Sequence, residues 1–206
     1  MTRAELKGLA KARLAGNWGW AVGLSLLGAI MASIIGGFTA GILEAWVMVG
    51  ISFSFLRFMD DEDRGNGVFN NIFSGFTGSQ PVAVFLNTLL AGIFMALWSL
   101  LLVVPGIVKA FSYSQVDYIL SDMQRAGRQI GATDAITASR ELMVGHKWEY
   151  FVLQLSFLGW ALLSLVTLGI GLLWLTPYMQ ATNAAFYRNL AGDRFRTPED
   201  DMTDAY

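Results

Sequence analysis

Apolar and polar positions along the chain fall into alternating blocks. Long apolar blocks run over 18–43, 81–108 and 150–182. Each is too long for one membrane helix, which needs roughly 17–25 residues. Each also carries glycine or proline in its second half: Gly36, Gly37 and Gly41 in the first, Pro105 and Gly106 in the second, Gly169 and Gly171 in the third. Such residues mark turns. Every block is therefore predicted to be a helical hairpin. The long first arms fall at about 17–37, 81–104 and 148–168, and the shorter return arms at about 42–58, 106–121 and 171–189. A polar or amphipathic segment precedes each hairpin, predicting lead-in helices at about 3–16, 66–79 and 132–146.

The blocks resemble one another in register, and internal repeats are sought before any other feature. A shift of 65 residues lays Gly41 on Gly106 and Gly106 on Gly171 without gaps. It also lays Ala45 on Ala110, Trp46 on Phe111, Tyr113 on Tyr178 and Gln115 on Gln180. The expected fold is an all-α polytopic membrane bundle. It has six spans in three hairpin repeats of about 65 residues (1–65, 66–130, 131–192), each with an amphipathic lead-in helix. A layout of three or four spans, with the return arms re-entrant, is the structural alternative.

Composition supports the membrane reading. The 206 residues are 54% hydrophobic and 15% charged, against about a quarter charged in ordinary soluble domains. The charges are also sorted. No Lys, Arg, Asp or Glu occurs in 65–108 or in 150–187. Of the 14 basic residues, all but Lys109 lie away from the proposed turns. Basic residues favour the cytoplasmic side. The predicted location is the bacterial cytoplasmic membrane, multi-pass, with both termini cytoplasmic. The uncharged stretch 16–43 far exceeds the roughly 7–15 residues of a signal-peptide core, so it is read as a retained helix.

In the first lead-in segment Leu6, Leu9, Ala10, Arg13 and Leu14 share one face, while Lys7 and Lys11 share another. A basic amphipathic helix beside a span suits an anionic leaflet; a solvated helix is the other reading. In the third segment Thr133 or Asp134 can cap the helix, and Ile136, Arg140 and Met143 share a face. Trp18, His146, Lys147 and Trp148 are predicted interface anchors, since Trp and Lys gather at membrane borders.

Ionisable groups inside spans are costly and point to function. Glu44, Lys109 and Asp117 are the three candidates. The 65-residue shift puts Glu44 and Lys109 at one repeat position, so an intramembrane ion pair is expected, with snorkelling to the outer surface as the alternative. Tyr113, Gln115 and Asp117 on the second return arm match Tyr178, Gln180 and Asn183 on the third. They could line a polar cavity or serve as interhelical hydrogen-bond glue; glue is the favoured reading.

No catalytic constellation is present. There is no Gly-x-Ser-x-Gly, no His-Glu-x-x-His and no P-loop. With one His and no Cys, neither a metal site nor a cofactor is expected. Asp60, Asp61, Glu62 and Asp63 lack the spacing of a calcium loop and read as a solvated acidic loop. The tail 193–206 reads as disordered and cytoplasmic. The net charge of −2 gives no sign of nucleic-acid binding.

Several stretches carry a family resemblance. They are 109–120 (KAFSYSQVDYIL), 139–148 (SRELMVGHKW), 155–160 (LSFLGW), 167–174 (TLGIGLLW) and 177–180 (PYMQ). Together they resemble a bacterial multi-span membrane family known as domain of unknown function 975, closely over about 105–190. The resemblance implies a location and supplies no activity.

The expected function is non-enzymatic: a scaffold or accessory factor that organises membrane lipid or a partner protein, or a homo-oligomer, in the cell envelope. A small-solute or lipid carrier with a polar path near Asp117 is the alternative, and an enzyme acting on lipid ranks third.

Overall fold

The computed structural model describes residues 1–39, 42–60, 67–101 and 103–196. Among these there are eleven helices and no strand, so the all-α expectation holds. Their order follows the predicted rhythm of lead-in, long arm and return arm.

The first unit comprises α1 (Arg3–Leu14), α2 (Trp18–Thr39) and α3 (Ile42–Met59). A capping box opens α1: the Thr2 hydroxyl accepts from the Glu5 amide, and the Glu5 carboxylate accepts from the Thr2 amide. Leu6, Ala10 and Leu14 are buried as the pattern requires. The stripe is covered by protein, because α1 packs on the helical hairpin of α10 (Lys147–Val166) and α11 (Leu172–Ala191), chiefly on α11. Met1 donates to the Asn189 side chain, and the Tyr178 hydroxyl lies 3.5 Å from the Lys7 carbonyl. Lys7 reaches α10, with Nζ 3.2 Å from the Ser156 carbonyl and 4.0 Å from the Phe157 ring centre. This desolvation, with the nearby Arg3 charge, lowers the Lys7 pKa below its ordinary value. The apolar face of α1 is therefore spent on its own fold and does not face a leaflet.

The second unit starts with two short helices, α4 (Val68–Ile72) and α5 (Ser74–Thr77), in place of one amphipathic helix. Glycine richness explains the break, since Gly67, Gly75 and Gly78 leave little helix propensity. Then come α6 (Pro81–Leu101), α7 (Val103–Tyr113) and α8 (Val116–Arg125). The third unit comprises α9 (Asp134–Leu142), α10 (Lys147–Val166) and α11 (Leu172–Ala191). Thr133 occupies the N-cap of α9 without a side-chain bond, and Asp134 instead accepts from the Gly131 amide. Arg140 is exposed, leaving Ile136 and Met143 to carry that face inward.

One predicted turn moves, since Pro105 and Gly106 lie inside α7. Gly36 and Gly37 lie inside α2, which ends at Thr39, and Gly41 lies outside the described residues. Pro105 is the third residue of its helix, where its missing N–H has no intrahelical acceptor to lose. The third turn falls as predicted, over 167–171. There Leu168 and Gly169 both take positive φ, 52° and 86°, and the Gly169 amide bonds the Ser164 carbonyl at 2.9 Å. The second return arm is broken between α7 and α8. Ser139 of α9 bridges that break: its hydroxyl donates to the Ser112 carbonyl at 2.8 Å and accepts from the Gln115 amide at 3.3 Å.

The first residues of the predicted tail are packed against the bundle. Phe195 is buried, and Arg196 lies 3.7 Å from Asp60. The rest of that tail, 197–206, and acidic positions 61–63 lie outside the described residues.

The core gathers around α3, α8, α9 and α11, where Phe53, Phe55, Ile119, Leu120 and Tyr187 are fully enclosed. The outward faces are apolar as well. Leu26, Ile30 and Ile34 stand exposed on α2, and Val82, Leu86, Ile93 and Leu97 on α6. On α10 they are Leu155, Leu158, Leu162, Leu165 and Val166. One helix, α10, is long and apolar enough to cross a membrane on the described residues. A second qualifies if Arg3–Leu14 and Trp18–Ile34, bent by 98°, are taken as one span.

Candidate functional site

Three return arms finish at a common place. The last turn of α3 leads into Asp60, α8 supplies Asp122 and Arg125, and α11 supplies Tyr187 and Arg188. The Asp60 and Asp122 side chains are 3% and 0% exposed. Burial of two carboxylates demands compensation, and one guanidinium provides most of it. Arg188 Nε and Nη2 bond the Asp60 oxygens at 2.8 and 2.7 Å. Its Nη1 and Nη2 bond the Asp122 oxygens at 2.8 and 3.1 Å, and Nη1 also donates to the Gly192 carbonyl. The planar fork of arginine suits this double bidentate grip, which a lysine ammonium lacks. Arg125 approaches Asp60 at 3.3 Å, and the Tyr187 hydroxyl donates to Asp122 at 2.8 Å. The Tyr187 ring stacks on Tyr118 with centroids 5.3 Å apart. The arrangement can bind three helix ends together. Its carboxylates are already paired to arginines, which leaves no free general base in it.

Charges at these positions had read as ordinary loop and border charges. The signal that finds them is the 65-residue spacing. Asp60 and Arg125 are 65 apart, and so are Asp122 and Tyr187, and Ser52 and Asp117. Residues 65 positions apart thus touch each other at three places.

The residues singled out from the sequence come together only in part. Glu44 folds back over Gly36 of α2, and Lys109 is half-buried on α7. No ion pair joins these two among the described residues. Asp117, half-buried, accepts from the Ser52 hydroxyl at 3.3 Å. Gln115 is buried and donates to the Ser114 hydroxyl at 2.7 Å. Tyr113 is buried beside the Phe94 ring. Asn183 accepts from Gln154 of α10 at 2.7 Å, Tyr178 reaches α1, and Gln180 is half-buried on α11. Gln115, Asp117 and Asn183 are linked around the buried Tyr150, which bonds Ser114 and Gln154 and lies close to Asp117. Of the anchors, Trp148 is 71% exposed, His146 Nδ1 sits 3.0 Å from Glu149, and Lys147 is half-buried. Trp18 is half-buried beside Trp160 and Trp174, near the α10–α11 turn. Among the described residues no group of His, Asp and Glu is placed to hold a metal ion.

The geometry defines a helical bundle closed at one end by a buried ionic clasp. Residues 100–194, which include Asp122, Arg125 and Arg188, match the model of a family described as "Protein of unknown function (DUF975)", the family resembled from the sequence. No curated protein and no solved structure matches the chain.

Proposed function

We propose that this chain is a non-enzymatic integral membrane protein of the cytoplasmic membrane, built of three hairpins. It acts as a scaffold or accessory factor that organises lipid or a partner protein. One observation carries the membrane reading: α10 is 20 residues long, and only 22% of its apolar window is buried. A core helix of a soluble protein hides such a surface; this one presents it. The aliphatic stripes on α2 and α6 recur at helical spacing and extend the same apolar surface. The contacts 65 residues apart support the three-unit reading.

Scaffold is put ahead of carrier because the polar side chains near Asp117 are bonded to one another, as interhelical glue is. The Asp117 carboxylate accepts from Ser52 of α3, and Gln154 of α10 donates to Asn183 of α11. The clasp, rich in Arg125, Arg188 and Arg196, belongs on the cytoplasmic side by the basic-residue rule.

The test uses the lack of cysteine. A single cysteine is introduced at Leu168 or at Arg194 in separate variants. An impermeant maleimide added to intact cells labels Leu168→Cys and leaves Arg194→Cys unlabelled until the membrane is opened. Release of the protein from membranes by alkaline carbonate would sink the integral reading.

A further inference from the structure

A groove of about 410 Å³ lies where α1, α2 and the α10–α11 hairpin meet. Trp18, Trp160, Leu163, Trp174 and Tyr178 form its walls, and Lys11 stands at its edge. The polar groups inside it are already used. The Ser164 hydroxyl donates to the Trp160 carbonyl at 2.8 Å, and Thr167 donates to the Ser164 carbonyl at 2.9 Å. What remains for an occupant is apolar and aromatic surface with one cation beside it. Lys11 is exposed, and its ammonium makes no hydrogen bond or ion pair among the described residues.

We propose that this groove binds one anionic phospholipid, with an acyl chain along the tryptophans and the headgroup phosphate on Lys11. The reading rests on the membrane assignment above and names the lipid class that the protein organises. Two features select this occupant. The groove is continuous with the lipid-facing surface, since Leu163, Leu165, Val166 and Leu168 are all more than half exposed beside it. A chain can therefore slide in sideways without passing through water. The charge is complementary too. Lys11 shares α1 with Arg3, Lys7 and Arg13, against one acid, Glu5, so the phosphate of a lipid in the leaflet at the α10–α11 turn meets a positive field and a zwitterionic headgroup gains less. Tryptophans suit the site because their rings settle at the boundary between acyl chains and headgroups.

The experiment is native mass spectrometry of the full chain. The protein is purified in maltoside and incubated with equal amounts of dioleoyl phosphatidylglycerol and dioleoyl phosphatidylcholine. The wild type retains one phosphatidylglycerol in preference to phosphatidylcholine by about fivefold, the equivalent of roughly 1 kcal/mol for one basic side chain at an anionic surface. Lys11→Gln brings the two lipids to parity, while Lys11→Arg keeps the preference. Leu163→Trp fills the groove and lowers retention of both lipids. Lys11 is exposed and Leu163 is 55% exposed, so neither change disturbs the core, and circular dichroism checks the helix content. An undiminished preference in Lys11→Gln, or wild-type retention in Leu163→Trp, overturns the proposal. A protein that stays in carbonate-washed membranes yet shows no preference overturns the groove alone. A protein found in the wash overturns the membrane reading beneath it.

Discussion

Ser139 shows how much one side chain settles in this fold. Its hydroxyl is fully buried and serves two backbone groups that the broken helix left without partners. Alanine there removes both bonds and admits no water. Unpaired buried polar groups cost about 1–3 kcal/mol each, so Ser139→Ala should lower the thermal midpoint in detergent by several degrees. Ser139→Thr should recover part of the loss. Arg188 sits at the other extreme. Removing one partner of a buried ion pair costs about 3–5 kcal/mol, so Asp122→Asn and Arg188→Lys should each destabilise strongly. The double variant should do less damage than their sum; additive losses in the thermal midpoint would deny the coupling. Neither residue was legible as a site beforehand. Sequence marks a charge near the end of an apolar arm, and border charges are usually solvated; only packing tells which are enclosed.

At the scale of elements, much could be read in advance. Apolar length and glycine placement give the order of lead-in, long arm and return arm, and the leucine register of α1 gives its buried face. Two things escaped. The residues that break helices were misplaced, because glycine and proline are tolerated inside long apolar helices and in first turns. The destination of the α1 stripe also escaped, since an amphipathic pattern states that a face is covered and not by what. The turn between α10 and α11 carries a local cost. Leu168 has φ 52° and is 94% exposed, so its side chain gains nothing from burial. A non-glycine residue in the left-handed region costs roughly 1–2 kcal/mol. Leu168→Gly should therefore stabilise the hairpin by about 0.5–1 kcal/mol after the added freedom of the unfolded chain is counted. A melting point unchanged or lowered would count against a strained turn.

Over the whole molecule, the clasp and the α10–α11 turn mark opposite ends. The first binds units distant in sequence, and the second is a local loop. Arg188→Ala should therefore loosen the ends of α3, α8 and α11 together. Hydrogen exchange in detergent would show lost protection at all three, with little change at 160–172. Loss confined to α11 would mean that Arg188 only caps its own helix. The 65-residue spacing noted in the sequence also separates three pairs of side chains that meet here. The same shift was available for the charged positions and would have paired Asp60 with Arg125, had it been applied beyond the apolar arms.

The clasp also imposes an order on biogenesis. Asp122 leaves the ribosome 66 residues ahead of Arg188, its bidentate partner. Until then its nearest cation is Arg125 at 3.9 Å, which also serves Asp60. The ends of α3 and α8 are thus made before they can be locked, and α11 neutralises the carboxylate waiting for it. A nascent chain stopped before residue 188 carries an enclosed charge with too little compensation, a flaw that quality-control proteases can act on.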